Sequence, residues 1–166
     1  MPSKQDVIDS INAGIARVNA TFGSLTEAQL QQQIYDGPTG WTAKHILAHL
    51  AGGQAAYDIT FGMADGTIAV PSGASDEVNE FNRNVVEARL GKSRDALLEE
   101  FNSVNRSLIA RVQDTDDALL AMEIESPNGT LPFGEILIQT SGAHVIGHTR
   151  SVEQALERSA PSNRGS

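Results

Sequence analysis

The sequence contains no cysteine. That excludes disulfides, thiolate zinc sites and a cysteine nucleophile, and any thiol chemistry would need a thiol brought from outside. Basic charge is scarce: 12 Lys and Arg stand against 21 Asp and Glu, a net charge of −9. Neither nucleic acid nor an anionic membrane would be attracted to such a chain, so both are excluded as partners. No stretch approaches the roughly 18 consecutive apolar residues of a membrane span, and the opening Met1-Pro2-Ser3-Lys4-Gln5-Asp6 lacks the apolar core of a secretory signal. A cytoplasmic location is the expectation. Internal repeats and low-complexity tracts are also missing. What is present is 166 residues, 40% apolar and 20% charged, which suits one globular domain large enough to bury a core without staples. That domain is expected over residues 1–158, with a small, polar, disordered tail to Ser166.

The apolar pattern is helical. Ile8, Ile11, Ile15, Val18 and Phe22 step by three and four residues from an N-cap at Ser3. Thr26 and Gln29 have the form of a capping box for a short helix to about Ile34, before Gly37-Pro38-Thr39-Gly40 breaks the chain. Thr42 caps a second long helix, expected from Ala43 to about Gly62, with Trp41 placed to staple onto Ile46. The linker from Ala64 to Ala74 is long for neighbouring antiparallel helices, and predicts a crossover or a lid. A third helix begins at Ser75 or Asp76, kinks or breaks at Gly91-Lys92-Ser93, and continues through Leu97, Phe101, Val104, Leu108 and Val112. Arg83, Glu99 and Arg106 read as its solvated face. Met122 to Glu125 alternates like a short extended piece. A fourth helix starts near Thr130 to Pro132 and runs to about Arg158, its inward face reading Leu137, Thr140, Ser141, His144, His148, Val152 and Ala155. The fold class is all-α, a four-helix bundle.

Every histidine falls in one of two pairs, His45 with His49 and His144 with His148. Partners four residues apart lie one above the other on a helix face, the placement by which two imidazoles can point at one metal ion. Two ligands do not close a site. A third from the other pair would complete it, and three neutral imidazoles with open positions describe a catalytic rather than a structural metal site. Zinc is the default ion; nickel, iron and copper also accept imidazole. His49 is favoured as the third ligand because it sits mid-face beside Gly52 and Gly53. His45 lies in the first helical turn and reads as a rim residue, an acid/base or a substrate contact. Asp58 and Glu80 are the carboxylates that packing could bring near. Against this stands the plain alternative that all four histidines are satisfied structural residues.

Gly40-Trp41-Thr42 running into Leu47-Ala48-His49-Leu50-Ala51, followed much later by His144-x-x-x-His148 and Val152-Glu153-Gln154-Ala155-Leu156, resembles the DinB/YfiT-like superfamily. That superfamily includes the metal-binding domain of mycothiol-dependent maleylpyruvate isomerase. The resemblance covers the chain from the first helix to about Arg158. It implies a four-helix bundle with a crossover between the second and third helices. It also implies a divalent metal held by His49, His144 and His148, and a homodimer as in many members. The activity it implies is transferase, isomerase, hydrolase or detoxification chemistry on a small-molecule substrate, with a low-molecular-weight thiol of the mycothiol or bacillithiol type as cofactor. The separate C-terminal domain of the isomerase has no counterpart in this sequence. The alternative is a non-enzymatic metal- or ligand-binding bundle serving a stress response.

Overall fold

A computed structural model describes residues 2–36, 40–69, 75–126 and 129–159. Helix α1 (Lys4–Gly23) begins in a full capping box: the Ser3 side chain accepts from the Asp6 backbone N–H, and the Asp6 carboxylate accepts from the Ser3 N–H. Its apolar stripe is buried along its whole length at Val7, Ile11, Val18 and Phe22. Thr26 and Gln29 form a second box, opening a single turn, α2 (Glu27–Leu30).

The second bundle helix comes in two pieces, α3 (Ala43–Ala51) and α4 (Gln54–Ala64), where one helix to about Gly62 was expected. The break falls at Gly52 and Gly53. A Cβ on Gly52 would lie 2.1 Å from Val85 Cγ1, so glycine permits the close approach of α5 (Ser75–Glu87). The α4–α5 link passes through residues 70–74, outside the described residues, so the lid alternative falls largely there. The third bundle helix is likewise split, into α5 and α6 (Arg94–Asp114), around the anticipated Gly91-Lys92-Ser93 break. A turn, α7 (Asp117–Leu120), leads into a hairpin of β1 (Glu123–Ser126) and β2 (Gly129–Pro132). The strands are antiparallel, with Ile124 opposite Leu131. The extended piece expected at Met122 to Glu125 is thus half of a hairpin.

The fourth bundle helix starts after Pro132, which is its N-cap rather than a first-turn residue, and has three parts: α8 (Phe133–Leu137), a π-helical segment (Ile138–Ala143) and α9 (His144–Ser159). Two apolar clusters fill the bundle. Val18, Phe22, Ile46, Leu47, Leu97 and Phe101 anchor one; Val7, Ile11, Phe61, Leu108, Phe133 and Leu137 anchor the other. Burial of this apolar surface is the main stabilising term. Asn105, enclosed by this core, is satisfied: it donates to Phe101 O at 2.8 Å and accepts from the Tyr57 hydroxyl at 3.3 Å. Ser159 ends α9 and is hydrogen-bonded by Gln32, while the expected disordered tail from 160 on lies outside the described residues. No described helix is long and apolar enough to cross a membrane.

Candidate metal centre

Helices α3 and α9 bring His49 up to the His144–His148 pair. Ring centroids are 5.3 Å apart for His49–His144, 5.1 Å for His49–His148 and 4.4 Å for His144–His148. One ring nitrogen from each lies within 4.8 Å of the other two, and the three could hold a metal ion. His49 Nε2 and His144 Nε2 are 3.0 Å apart. Two nitrogens on one ion, at bond lengths of about 2.0–2.1 Å, stand about 2.9 Å apart at a right angle and about 3.3 Å apart at the tetrahedral angle. The observed separation falls between.

Local structure explains the convergence. On the α9 side the π-helical segment adds a residue to the turn before His144. That shifts everything after it by one position relative to a continuous α-helix. The core-facing line therefore passes through Ser141, Val145, Thr149 and Val152, all buried, while His148 is half-buried and His144 exposed. The inward face read from the sequence, with both histidines on it, is corrected accordingly: the pair lies on the flank that meets α3. Thr140 and Ser141 hydroxyls donate to Ile136 O (2.8 Å) and Leu137 O (2.6 Å), supporting carbonyls along the widened turn. Gly142 lets this segment touch α1, since a Cβ there would fall 1.9 Å from Ser10 Oγ.

Two neighbours that the sequence reading did not identify fix the rings. The Tyr35 hydroxyl lies 2.7 Å from His148 Nδ1. With Nε2 left as a lone pair towards the cluster, Nδ1–H donates to Tyr35, the outer contact that sets a ligand's tautomer. Tyr35 is placed by a short antiparallel clamp, in which Ile34 N–H donates to Trp41 O at 2.8 Å and Ala43 N–H to Gln32 O at 3.0 Å. Trp41 packs its ring 5.3 Å from that of His49. A tyrosine a few residues ahead of the cap of a histidine-bearing helix was the available signal; the expected break at Gly37-Pro38-Thr39 lies outside the described residues.

Burial, followed by the neighbouring imidazoles, pushes the His49 pKa down from 6.5 to about 3. Burial and His144 push His148 to about 4. His144 is exposed at its surface, yet the protein around it still lowers its pKa. All three rings are therefore neutral at pH 7, with lone pairs available. His49 Nδ1 is buried and finds no hydrogen-bond partner among the described residues, so the polar contact of this ring is with another imidazole. Such an under-satisfied set of neutral imidazoles fits a borderline divalent cation.

His45 is not among the converging rings. Its Nδ1 accepts from the Thr42 backbone N–H (3.3 Å) and lies 2.8 Å from the Thr42 hydroxyl, so the imidazole takes the place of a Glu in the α3 capping box. Asp58 accepts from Arg111 at 2.9 Å, Glu80 is exposed on α5, and neither lines the space beside the imidazoles. That space is a cavity of about 50 Å³ bordered by His49, His144, Gly53, Ala56, Asn82 and Thr140. At roughly 10–15 Å³ per water centre it has room for a few waters or one small nucleophile, and no more. The glycines beside His49 line it, but Gly52 is accounted for by Val85.

Bundle and imidazole cluster together define a DinB/YfiT-like protein with a candidate metal centre. The family model for the mycothiol maleylpyruvate isomerase N-terminal domain matches residues 11–140, and the chain belongs to that family. The match ends before His144, so the α9 pair rests on geometry. Among solved structures the chain is similar to YfiT from Bacillus subtilis, described as a probable metal-dependent hydrolase with an unusual four-helix bundle topology. The TM-score is 0.71 at 14% identity, covering 93% of this chain and 86% of that one. It is also similar to an uncharacterised protein from Clostridium difficile 630, with TM-score 0.75 and 12% identity over 96% and 98% of the chains. A third similar structure is the mycothiol-dependent maleylpyruvate isomerase, at TM-score 0.63 and 18% identity; 96% of this chain is covered but 62% of the isomerase. No curated protein matches significantly.

Proposed function

We propose that His49, His144 and His148 hold one divalent cation, zinc by default with nickel or iron as alternatives, and that the protein is a metal-dependent enzyme acting on a small molecule. The observation that carries this reading is the convergence of three imidazoles, one ring nitrogen each within 4.8 Å of the others. When bound, the ion would supply Lewis acidity, lowering the pKa of a water or of a low-molecular-weight thiol so that a nucleophile exists at neutral pH. Tyr35 orients His148 through Nδ1, and Trp41 covers one side of His49, shielding the ring from bulk water. The small cavity beside His49 and His144 admits the nucleophile but not the body of a substrate. No carboxylate borders it among the described residues, so proton transfer falls to the nucleophile itself or to the substrate.

Family membership supports a thiol of the mycothiol or bacillithiol type as the co-substrate, and transferase, isomerase or detoxification chemistry as the outcome. Hydrolysis, named for YfiT, is the close variant in which water takes the place of the thiol. We propose a cytoplasmic location and a homodimer on the same grounds. The test is to load the protein with cobalt(II) and titrate N-acetylcysteine while following near-ultraviolet absorption. A sulfur-to-cobalt charge-transfer band that saturates supports thiol activation. Cobalt bound without that band would remove the thiol arm and leave hydrolysis. Failure to take up cobalt at all would leave a ligand-binding bundle.

A further inference from the structure

Next to the small cavity lies a much larger cleft, about 600 Å³, between the start of α3 and the length of α5. Its size is that of sites for small organic ligands, roughly 300–1,000 Å³. Trp41, Val86 and Leu90 form an apolar wall, and His45, Asn82 and Arg83 supply polar groups. Asn82 borders the small cavity as well, so the two spaces adjoin.

We propose that this cleft binds a small organic carboxylate, its anionic end held by Arg83 and its apolar or aromatic body lying against Trp41. Arg17, Arg89, Arg94, Arg106 and Arg111 are each paired with an acidic side chain. Arg83, exposed on α5, makes no ion pair or hydrogen bond among the described residues. Arg150 and Arg158 on α9 also make no ion pair among them, but of the three it is Arg83 that lines the cleft, with its guanidinium unengaged. Its planar guanidinium matches a carboxylate through two parallel hydrogen bonds. The α3 cap adds a donor. Thr42 occupies His45 Nδ1 with its backbone N–H and hydroxyl, which leaves the imidazole proton on Nε2, the free nitrogen of a residue on the cleft wall. Glu87, one helical turn beyond Arg83, also borders the cleft and sets its polarity. The carboxylate belongs at the Arg83 and Asn82 end, and the uncharged body extends past Val86 towards Leu90. A substrate held so would lie beside the imidazole cluster through the shared Asn82 edge. That last placement rests on the function proposed above; the binding itself does not.

Trp41 is the single tryptophan, which makes the cleft wall its own reporter. Phenylacetate and its neutral analogue phenylacetamide are titrated into the metal-free full chain while tryptophan emission is followed, with the parent beside Arg83→Gln and Arg106→Gln. The expected result is saturable phenylacetate binding about tenfold tighter than phenylacetamide, as one charge-assisted contact at a partly open site would give. Arg83→Gln should lower phenylacetate to the level of the amide and leave the amide unchanged. Arg106→Gln, which removes a surface arginine of α6 that does not line the cleft, should bind phenylacetate like the parent. No saturable response, equal binding of acid and amide, an unaffected Arg83→Gln, or an equal loss in Arg106→Gln would each overturn the proposal. If the parent shows the carboxylate preference but takes up no metal, the metalloenzyme reading fails and the cleft assignment stands.

Discussion

Acid should destabilise the metal-free protein through its buried imidazoles, and His49 gives the sharpest case. Its pKa is about 3 in the native state against an ordinary 6.5. Between those values the unfolded chain binds a proton that the folded chain refuses. Stability therefore falls as pH drops below 6.5 and is complete above it. The slope is about 1.36 kcal/mol per pH unit for one group. From pH 7.5 to pH 5 the His49 share is then about 2 kcal/mol. His148, held near 4, contributes a similar amount over the same range. Urea unfolding at the two pH values, on parent and His49→Ala, isolates the effect, because all other titrating groups are common to both and the cavity left by the substitution is present at both pH values. The pH-dependent loss should be about 2 kcal/mol smaller in His49→Ala. Parallel pH dependences for the two proteins would refute the claim that this ring is held neutral by burial.

Removing the Tyr35 hydroxyl with Tyr35→Phe frees His148 Nδ1, and metal affinity measured by competition with a chelator should fall about tenfold with the fold intact. Chelation of the loaded protein should lower its Tm: an ion present at 100 times its Kd contributes about 2.7 kcal/mol, or about 5–10 °C for a chain of this size. Gly52→Ala should destabilise by about 1–3 kcal/mol, since the new methyl would lie 2.1 Å from Val85 Cγ1. Val85→Ala in the same chain should restore part of that loss, which a double-mutant cycle of chemical unfolding detects as coupling.

The bundle was legible because its helices announce themselves with caps and stripes. Ser3 with Asp6 and Thr26 with Gln29 form the boxes their spacing implies, and Ile11, Val18 and Phe22 are buried as a stripe requires. That His49 rather than His45 would meet the α9 pair also followed from position on the helix. Thr42 was recognisable as a cap, but not that His45 would complete its box, because an imidazole in that role has no distinct sequence signature. The register of the last helix was not legible. A π-helical turn depends on tertiary packing, here Gly142 against Ser10, and it moved the core line to Val145, Thr149 and Val152. Tyr35 was hidden for the same reason: its contact with His148 spans 113 positions and forms only once the clamp to Trp41 and Ala43 closes. Arg83 read as a solvated charge, and what sets it apart is its place on the cleft wall beside Trp41, visible only in three dimensions.

The central claim is that three imidazoles hold one ion. The direct measurement is the metal content of untagged protein by plasma mass spectrometry, before and after incubation with zinc, beside His49→Ala and His144→Ala. About one equivalent is expected in the parent, with loss of that metal in both variants while their helical content is unchanged. A parent that neither carries nor takes up metal, or variants that retain it, would contradict a three-imidazole metal site.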